Sequence, residues 1–183
     1  MKGLSRRATM ACGAVFATSL LALTGTQATA APQEDGVRNV DWHNTAFEVP
    51  EIGPCPQQVV EFTGGEAHLP DQLYRFTPDR DIVFADVTED GTEDALMLVE
   101  CGAPNSEYTR ALIGMTADPD VRLLGAVESP PRWTQVPDDV SVEPHNELGL
   151  IVRASITDFE QDRTYDKRYT WSDYYNSFLS IDG

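Results

Sequence analysis

Apolar residues recur at every second position along much of this chain, and that period decides the class of fold. In the segment LGLIVRASI, one face would carry Leu148, Leu150, Val152, Ala154 and Ile156. Such alternation is typical of a half-buried β-strand, because successive side chains of a strand point to opposite faces. No window of ten residues shows a sustained period of three to four. The sequence therefore predicts a mainly β fold.

Other short apolar runs are separated by proline, glycine, aspartate and asparagine, which are turn residues. The predicted strands cover residues 59–62, 82–87, 95–101, 108–115, 121–127, 148–156, 164–171 and 177–181. Residues 129–149 hold four prolines and are predicted to form a surface loop. The length of the chain and the absence of an internal repeat exclude a seven-bladed or eight-bladed β-propeller. We expect one domain over residues 31–183, built from antiparallel hairpins and meanders with at most a short helix.

The first thirty residues have the layout of a secretory signal peptide. Lys2, Arg6 and Arg7 precede the apolar run ACGAVFATSLLAL, and the small residues ATA come just before Ala31. That order predicts a signal peptide over residues 1–30. The arginine pair leaves the twin-arginine route open beside general secretion. Because no later segment approaches the roughly 20 apolar residues of a membrane span, the expected location is secreted, that is, extracellular.

The charge balance narrows the set of partners. The chain has 13 basic and 30 acidic residues, and residues 1–30 hold three of the basic ones and none of the acidic ones, which leaves a formal charge of −20 on the rest. A field of this sign repels nucleic acids and anionic membranes, so neither is an expected partner. It favours a cation or a basic protein. Solubility alone also accounts for an acidic composition.

Two cysteines, Cys55 and Cys101, follow the predicted signal peptide. In an oxidising compartment such a pair is expected to form a disulfide. The sequence lacks a Cys-x-x-Cys pair, the motif that would have suggested redox chemistry instead. A bridge that closes a loop of about 46 residues stabilises a fold by roughly 4 kcal/mol in the chain-entropy description. The predicted role of the pair is therefore structural.

The segment ADVTEDGTED, residues 85–94, carries five acids around Gly91. In a calcium loop, oxygen ligands stand at positions 1, 3, 5, 7 and 9, with glycine at 6. The predicted calcium ligands are Asp86, Thr88, Asp90, the backbone carbonyl of Thr92, and Asp94. Position 12, where a bidentate acid is expected, is Met97. A calcium-binding hairpin loop and a plain Asp-Gly turn, in which Gly91 accepts a positive φ, both stay open.

Four short motifs are spread over the chain: DWHNTAFEV, IVFADVTEDGTEDALMLVECG, LLGAV and RYTW. Together they resemble a set of small, uncharacterised exported proteins of Gram-positive bacteria. In those proteins an Ala-Asp-Val-Thr-Gly-Asp-Gly hairpin leads into a strand that ends in cysteine, and an aromatic-rich strand closes the chain. The resemblance implies a secreted, disulfide-linked, β-rich protein and carries over no function. Glu89 stands where those proteins have glycine.

No complete catalytic motif is present. The three histidines, His43, His68 and His145, are far apart in sequence and lack the His-Glu-x-x-His spacing of a zinc site. There is no Gly-x-Ser-x-Gly elbow and no glycine-rich phosphate loop. The sequence therefore favours a non-catalytic protein. An extracellular hydrolase, with a site assembled only in three dimensions, stays an alternative.

Aromatic residues crowd the end of the chain. Tyr165, Tyr169 and Trp171 would share one face of the predicted strand 164–171, and exposed rings, including Trp133, can stack on sugars. The structural alternative is that these rings pair across strands and close the core. The predicted function is a secreted, non-catalytic β-rich domain with one disulfide and, in the calcium interpretation, one bound cation. A carbohydrate-binding module that uses these aromatics is a further alternative.

Overall fold

Twelve β-strands and two turns of 3-10 helix, Val37–Asn39 and Trp42–Asn44, make up residues 36–182, the part of the chain that the computed structural model describes. These residues belong to one compact unit. The predicted signal peptide, residues 1–30, lies outside the described residues. Neither of these short helices has the length and apolar character that a crossing of the bilayer requires.

The strands form three antiparallel sheets. The two-stranded sheet pairs β1 (Ala46–Val49) with β2 (Gln58–Glu61). The six-stranded sheet contains β3 (Glu66–His68), β4 (Leu73–Phe76), β5 (Val83–Ala85), β6 (Asp94–Gly102), β7 (Thr109–Thr116) and β8 (Arg122–Glu128). The four-stranded sheet contains β9 (Gln135–His145), β10 (Gly149–Asp158), β11 (Arg163–Ser172) and β12 (Ser177–Ser180), with β9 and β12 at its edges.

The central strand β6 explains why the six-stranded sheet is covered on both faces. All nine of its residues are buried. Met97 and Val99 pack into a core shared with β1, β2 and the first 3-10 helix, whereas Leu96 and Leu98 pack into a second core shared with the four-stranded sheet. Because side chains alternate along a strand, a continuous apolar run lets one strand serve two cores.

The disulfide prediction is confirmed. Cys55 and Cys101 are bonded, with their Cα atoms 6.3 Å apart, and both are buried. Cys101 lies in β6, and Cys55 lies in the segment between β1 and β2. The bond therefore ties the two-stranded sheet to the centre of the six-stranded one.

The predicted fold class is also confirmed, since the described residues are mainly antiparallel strands without an α-helix. The prediction of a loop over residues 129–149 is wrong, because β9 occupies most of it. Pro137 and Pro144 are tolerated because β9 is an edge strand. Such a strand has a neighbour on one side only, so a proline without an N–H can lie there without removing a hydrogen bond of the sheet. Edge position depends on the tertiary arrangement, so the proline content alone pointed to a loop.

Candidate functional site

A cleft of about 410 Å³ opens where the six-stranded sheet meets the beginning of β9. We call it the Trp133 cleft. Its polar floor and aromatic rim are formed by Arg75, Glu100, Arg110, Tyr108, Trp133 and Phe159. A volume of this size falls within the range of small-molecule binding sites.

The register of the six-stranded sheet builds the floor. Glu100 in β6 lies directly opposite Arg75 in β4 and Arg110 in β7. Arg75 Nε donates a hydrogen bond to Glu100 Oε2 at 2.7 Å, and Arg110 Nη2 donates to Glu100 Oε1 at 2.7 Å. The Glu100 side chain is only 5% exposed. Its burial is tolerated because both carboxylate oxygens are paired.

A β-bulge extends this network to a second carboxylate. In the β9–β10 pairing, Ser155 faces Asp139 and Ile156 faces Pro137, so Asp138 is the extra residue. A bulge re-aims a side chain, and here Asp138 Oδ1 accepts a hydrogen bond from Arg110 Nη1 at 2.6 Å. Its other oxygen, Oδ2, accepts one from Arg80.

Arg75 is the guanidinium that remains open to the cleft. It lies over the Tyr108 ring, with 4.4 Å between Cζ and the ring centroid, and its side chain is 30% exposed. Its Nε donates the hydrogen bond to Glu100, whereas its Nη1 and Nη2 have no hydrogen-bond acceptor among residues 36–182. Arg110, by contrast, uses all three nitrogens.

The aromatic rim comes from two adjacent turns. Trp133, in the turn before β9, is 47% exposed, and Phe159, in the turn after β10, is 60% exposed. The Phe159 N–H donates a hydrogen bond to the Thr134 carbonyl at 2.8 Å. Large rings at this exposure offer faces for stacking.

A buried carboxylate holds these two turns together. Asp158 is fully buried, and its Oδ1 accepts hydrogen bonds from the Glu160 and Gln161 N–H groups, each at 3.1 Å. Its Oδ2 accepts one from the Gln135 side-chain amide at 3.0 Å. Asp158 therefore positions the ring of Phe159 relative to the turn that carries Trp133.

The acidic segment forms the loop of the β5–β6 hairpin and is closed by its own hydrogen bonds. Asp86 accepts from the N–H groups of Asp90, at 3.1 Å, and Gly91, at 3.0 Å. Asp90 Oδ1 accepts from the Thr92 N–H at 2.9 Å. Asp94 Oδ2 accepts from the Thr88 N–H and hydroxyl. The side chains of four of the five predicted calcium ligands thus already donate or accept hydrogen bonds within the hairpin.

Asp94, at the start of β6, is fully buried. Burial raises the pKa of its carboxyl and the nearby Asp90 charge adds to this, although bonds from Thr88 and the proximity of the Thr116 hydroxyl lower it. Its Oδ1 has no well-formed hydrogen bond among the described residues. Over the same residues, no group of three or more His, Cys, Asp and Glu side chains is arranged to hold a metal ion. The calcium site stays a prediction.

Glu89 occupies a position of this loop whose backbone conformation favours glycine. Its φ of 58° lies in the left-handed region, which a glycine would adopt at lower cost. Its Oε1 accepts a hydrogen bond from the Leu150 N–H at 3.2 Å. A Cβ on Gly149 would lie 1.4 Å from that same oxygen. This hydrogen bond therefore fixes the loop to the β9–β10 turn, where only glycine leaves room for the Glu89 carboxylate.

The C-terminal aromatics largely close the second core. Tyr169 is 5% exposed, and its hydroxyl donates to Glu128; burial and this neighbour raise the pKa of the phenol. Tyr169 therefore presents no open ring face. Tyr165 and Trp171 are partly buried, and Trp171 packs edge-on against Phe178 with centroids 5.1 Å apart. Tyr174, in the β11–β12 turn, is 87% exposed.

The three histidines lie in different surroundings. His43 packs on Phe76, with ring centroids 4.5 Å apart, His68 pairs with Glu66, and His145 accepts the Glu147 N–H. The cleft beside His43 is lined by aspartates, but its described lining contains no serine, threonine or cysteine.

Sequence reasoning singled out Trp133 but missed the rest of the Trp133 cleft. One signal was present: Glu100 interrupts the otherwise apolar run of β6, and a charge inside a buried strand implies a charged partner nearby. Comparison of the chain with protein families, with curated proteins and with solved structures found no match. The resemblance to exported proteins of Gram-positive bacteria therefore stays a prediction.

Proposed function

We propose that this protein is an exported, non-catalytic domain that binds carbohydrate in the Trp133 cleft. The observation that carries the proposal is the pair of exposed rings, Trp133 at 47% and Phe159 at 60% exposure, beside a buried ion-pair network. Apolar ring faces next to fixed polar groups suit a sugar, which has apolar C–H faces and a rim of hydroxyl groups.

The polar groups of the cleft offer both kinds of hydrogen-bonding partner. Arg75 has unpaired donors within the described residues, and the exposed Glu107, which also lines the cleft, can accept. The salt bridges of Glu100 fix Arg75 before any ligand arrives. A site fixed in advance loses less side-chain entropy on binding.

Two features support a non-catalytic role. Glu100, the buried carboxylate of the cleft, is paired with two arginines, so both of its oxygens already have partners within the fold. His43 lines a second cleft, and the described lining of that cleft contains no serine, threonine or cysteine. Binding is thus better supported than hydrolysis.

Export is supported by the predicted signal peptide and by the disulfide. Buried structural bridges such as Cys55–Cys101 persist in oxidising compartments and are rare in reducing ones. The test is to express the full chain in a secreting host and determine the N-terminus of the protein in the medium. A protein that begins near Ala31 would support export, whereas retention of an intact chain inside the cell would contradict it.

The binding proposal is tested on an array of neutral and acidic oligosaccharides, with affinities then measured by calorimetry. We expect Trp133→Ala and Phe159→Ala each to weaken binding at least about tenfold, because large rings dominate the energetics of binding surfaces. The matched control is Tyr174→Ala, which also removes an exposed ring but lies outside the cleft lining. That variant should bind as the unaltered protein does.

Two outcomes would contradict the proposal. If no saccharide on the array binds, the protein is not a carbohydrate-binding domain. If Tyr174→Ala abolishes binding while Trp133→Ala does not, the site lies on the β11–β12 hairpin, as the alternative based on the C-terminal aromatics predicts.

A further inference from the structure

We propose that the Trp133 cleft selects a saccharide that carries a carboxylate, and that Arg75 recognises that carboxylate. This inference rests on the proposed function, because it names the class of sugar that the same cleft takes. The observation behind it is that, within residues 36–182, the Nη1 and Nη2 atoms of Arg75 have no hydrogen-bond acceptor.

Arg75 is bonded along only one edge of its guanidinium. Its Nε donates to Glu100 Oε2 at 2.7 Å, and within residues 36–182 its Nη1 and Nη2 find no acceptor. Two terminal N–H groups of one guanidinium match the two oxygens of a carboxylate. Arg110 cannot serve in this way, since its nitrogens already bond Glu100 and Asp138. Of the two arginines in the cleft, Arg75 is the one with donors to offer.

The salt-bridge network of the cleft carries one net positive charge before Glu107 is counted. Three guanidinium groups, those of Arg75, Arg80 and Arg110, share two carboxylates, those of Glu100 and Asp138. The whole chain has a formal charge of −17, but charges beyond about 8 Å are largely screened at physiological ionic strength. The near neighbours therefore decide the preference. Counted with the exposed Glu107, their charges balance, so the open guanidinium edge of Arg75, and not a net positive charge, is what favours a carboxylate.

Glu107 is the other acid that lines the cleft. It is exposed, and no salt bridge is formed by it among the described residues. Its charge opposes an incoming carboxylate only weakly, because water screens it. Removing that charge should therefore strengthen the binding of an anionic sugar relative to that of a neutral one.

Tyr108 keeps the guanidinium in place for this role. The Arg75 Cζ lies 4.4 Å from the centroid of the Tyr108 ring, and such stacking orients an arginine. A uronic acid bears its carboxylate directly on the pyranose ring. A sugar stacked on the aromatic rim can thus place its carboxylate on Arg75 within a single cleft of about 410 Å³.

The test compares tetragalacturonate with its fully methyl-esterified form, which has the same backbone and no charge. Calorimetry is run with a chelator present, so that no cation bridges the acidic protein and the acidic sugar. We expect the acid to bind at least about tenfold more tightly than the ester, as one charge-assisted pair allows. Arg75→Gln should reduce that ratio to near one, and Glu107→Gln should increase it.

Folding of each variant is checked by its thermal unfolding, and Tyr174→Ala is the control that keeps the ratio. Equal affinity of the unaltered protein for acid and ester overturns this inference and leaves the proposed function standing. Binding of neither, with a blank oligosaccharide array, overturns the proposed function itself. A peptide with a free C-terminal carboxylate that binds more tightly than tetragalacturonate overturns the choice of a saccharide.

Discussion

The buried carboxylate of Asp158 accepts a hydrogen bond from the side-chain amide of Gln135 at 3.0 Å, and this bond joins the two turns that carry the aromatic rim. Asp158→Ala removes it together with two bonds from backbone N–H groups. We expect the free energy of unfolding in urea to fall by about 1–3 kcal/mol and saccharide binding to weaken. The exposed neighbour Glu160→Ala is the control. Unchanged stability and binding in Asp158→Ala would contradict this role.

The Cys55–Cys101 bond leads to a second prediction. The double variant Cys55→Ala/Cys101→Ala should lose about 2–4 kcal/mol of unfolding free energy, because the unfolded chain is no longer constrained by a closed loop. The measurement is urea unfolding without reductant. The control is the unaltered protein with and without reductant, which should reproduce the difference. A double variant as stable as the bridged protein would show that packing alone holds the two-stranded sheet in place.

Local pattern predicted most of the strands, and the reason is physical. Strands such as β10 have one buried face, and that face imposes a period of two on the sequence. β9 did not show this signal, because two prolines and a bulge at Asp138 interrupt its alternation. Its strand conformation depends on pairing with β10, which is a tertiary interaction that no local pattern encodes.

The candidate site was less predictable than the fold. Arg75, Glu100 and Arg110 are 25 and 10 residues apart in sequence, and only the strand register places them side by side. Trp133 was recognisable as an aromatic residue in a proline-rich segment. Its partner Phe159 lies in another turn, and the bond through Asp158 that links the two turns is invisible without the fold.

Glu89 and Gly149 give a third prediction. Gly149→Ala puts a Cβ where the Glu89 carboxylate lies and forces alanine to a φ of 71°. We expect a loss of about 1–3 kcal/mol of unfolding free energy. Glu89→Ala removes the clash, so the double variant should lose less than the sum of the two single losses. Strictly additive losses in urea unfolding would show that Glu89 does not occupy that position.

Asp94 gives a prediction about pH. Burial raises the pKa of its carboxyl, so the folded protein holds this proton more tightly than the unfolded chain does. Its contribution to stability is therefore complete below the unfolded pKa, about 4, and is lost as the pH rises through the folded pKa. The stability of the unaltered protein relative to Asp94→Asn should increase when the pH falls from about 7 to about 4.

Urea unfolding at several pH values measures this difference. The unaltered protein and Asp94→Asn share all the other acids. The difference between their unfolding free energies therefore cancels the general effect of protonating those acids. The control is Asp120→Asn, in the exposed turn between β7 and β8. A relative stability that falls toward low pH would show that the hydrogen bonds from Thr88 outweigh burial.

The final prediction concerns calcium. The carboxylates of Asp86 and Asp94 already accept bonds from backbone N–H groups, so the hairpin needs no cation to close. We expect 5 mM calcium to change the melting temperature by less than about 1 °C, with magnesium as the control for ionic strength. A site with a Kd near 50 μM would instead stabilise the fold by about 2.7 kcal/mol, roughly 5–10 °C for a chain of this size. A rise of that order, abolished in Asp86→Asn/Asp90→Asn, would establish the calcium-binding interpretation and reject the plain turn.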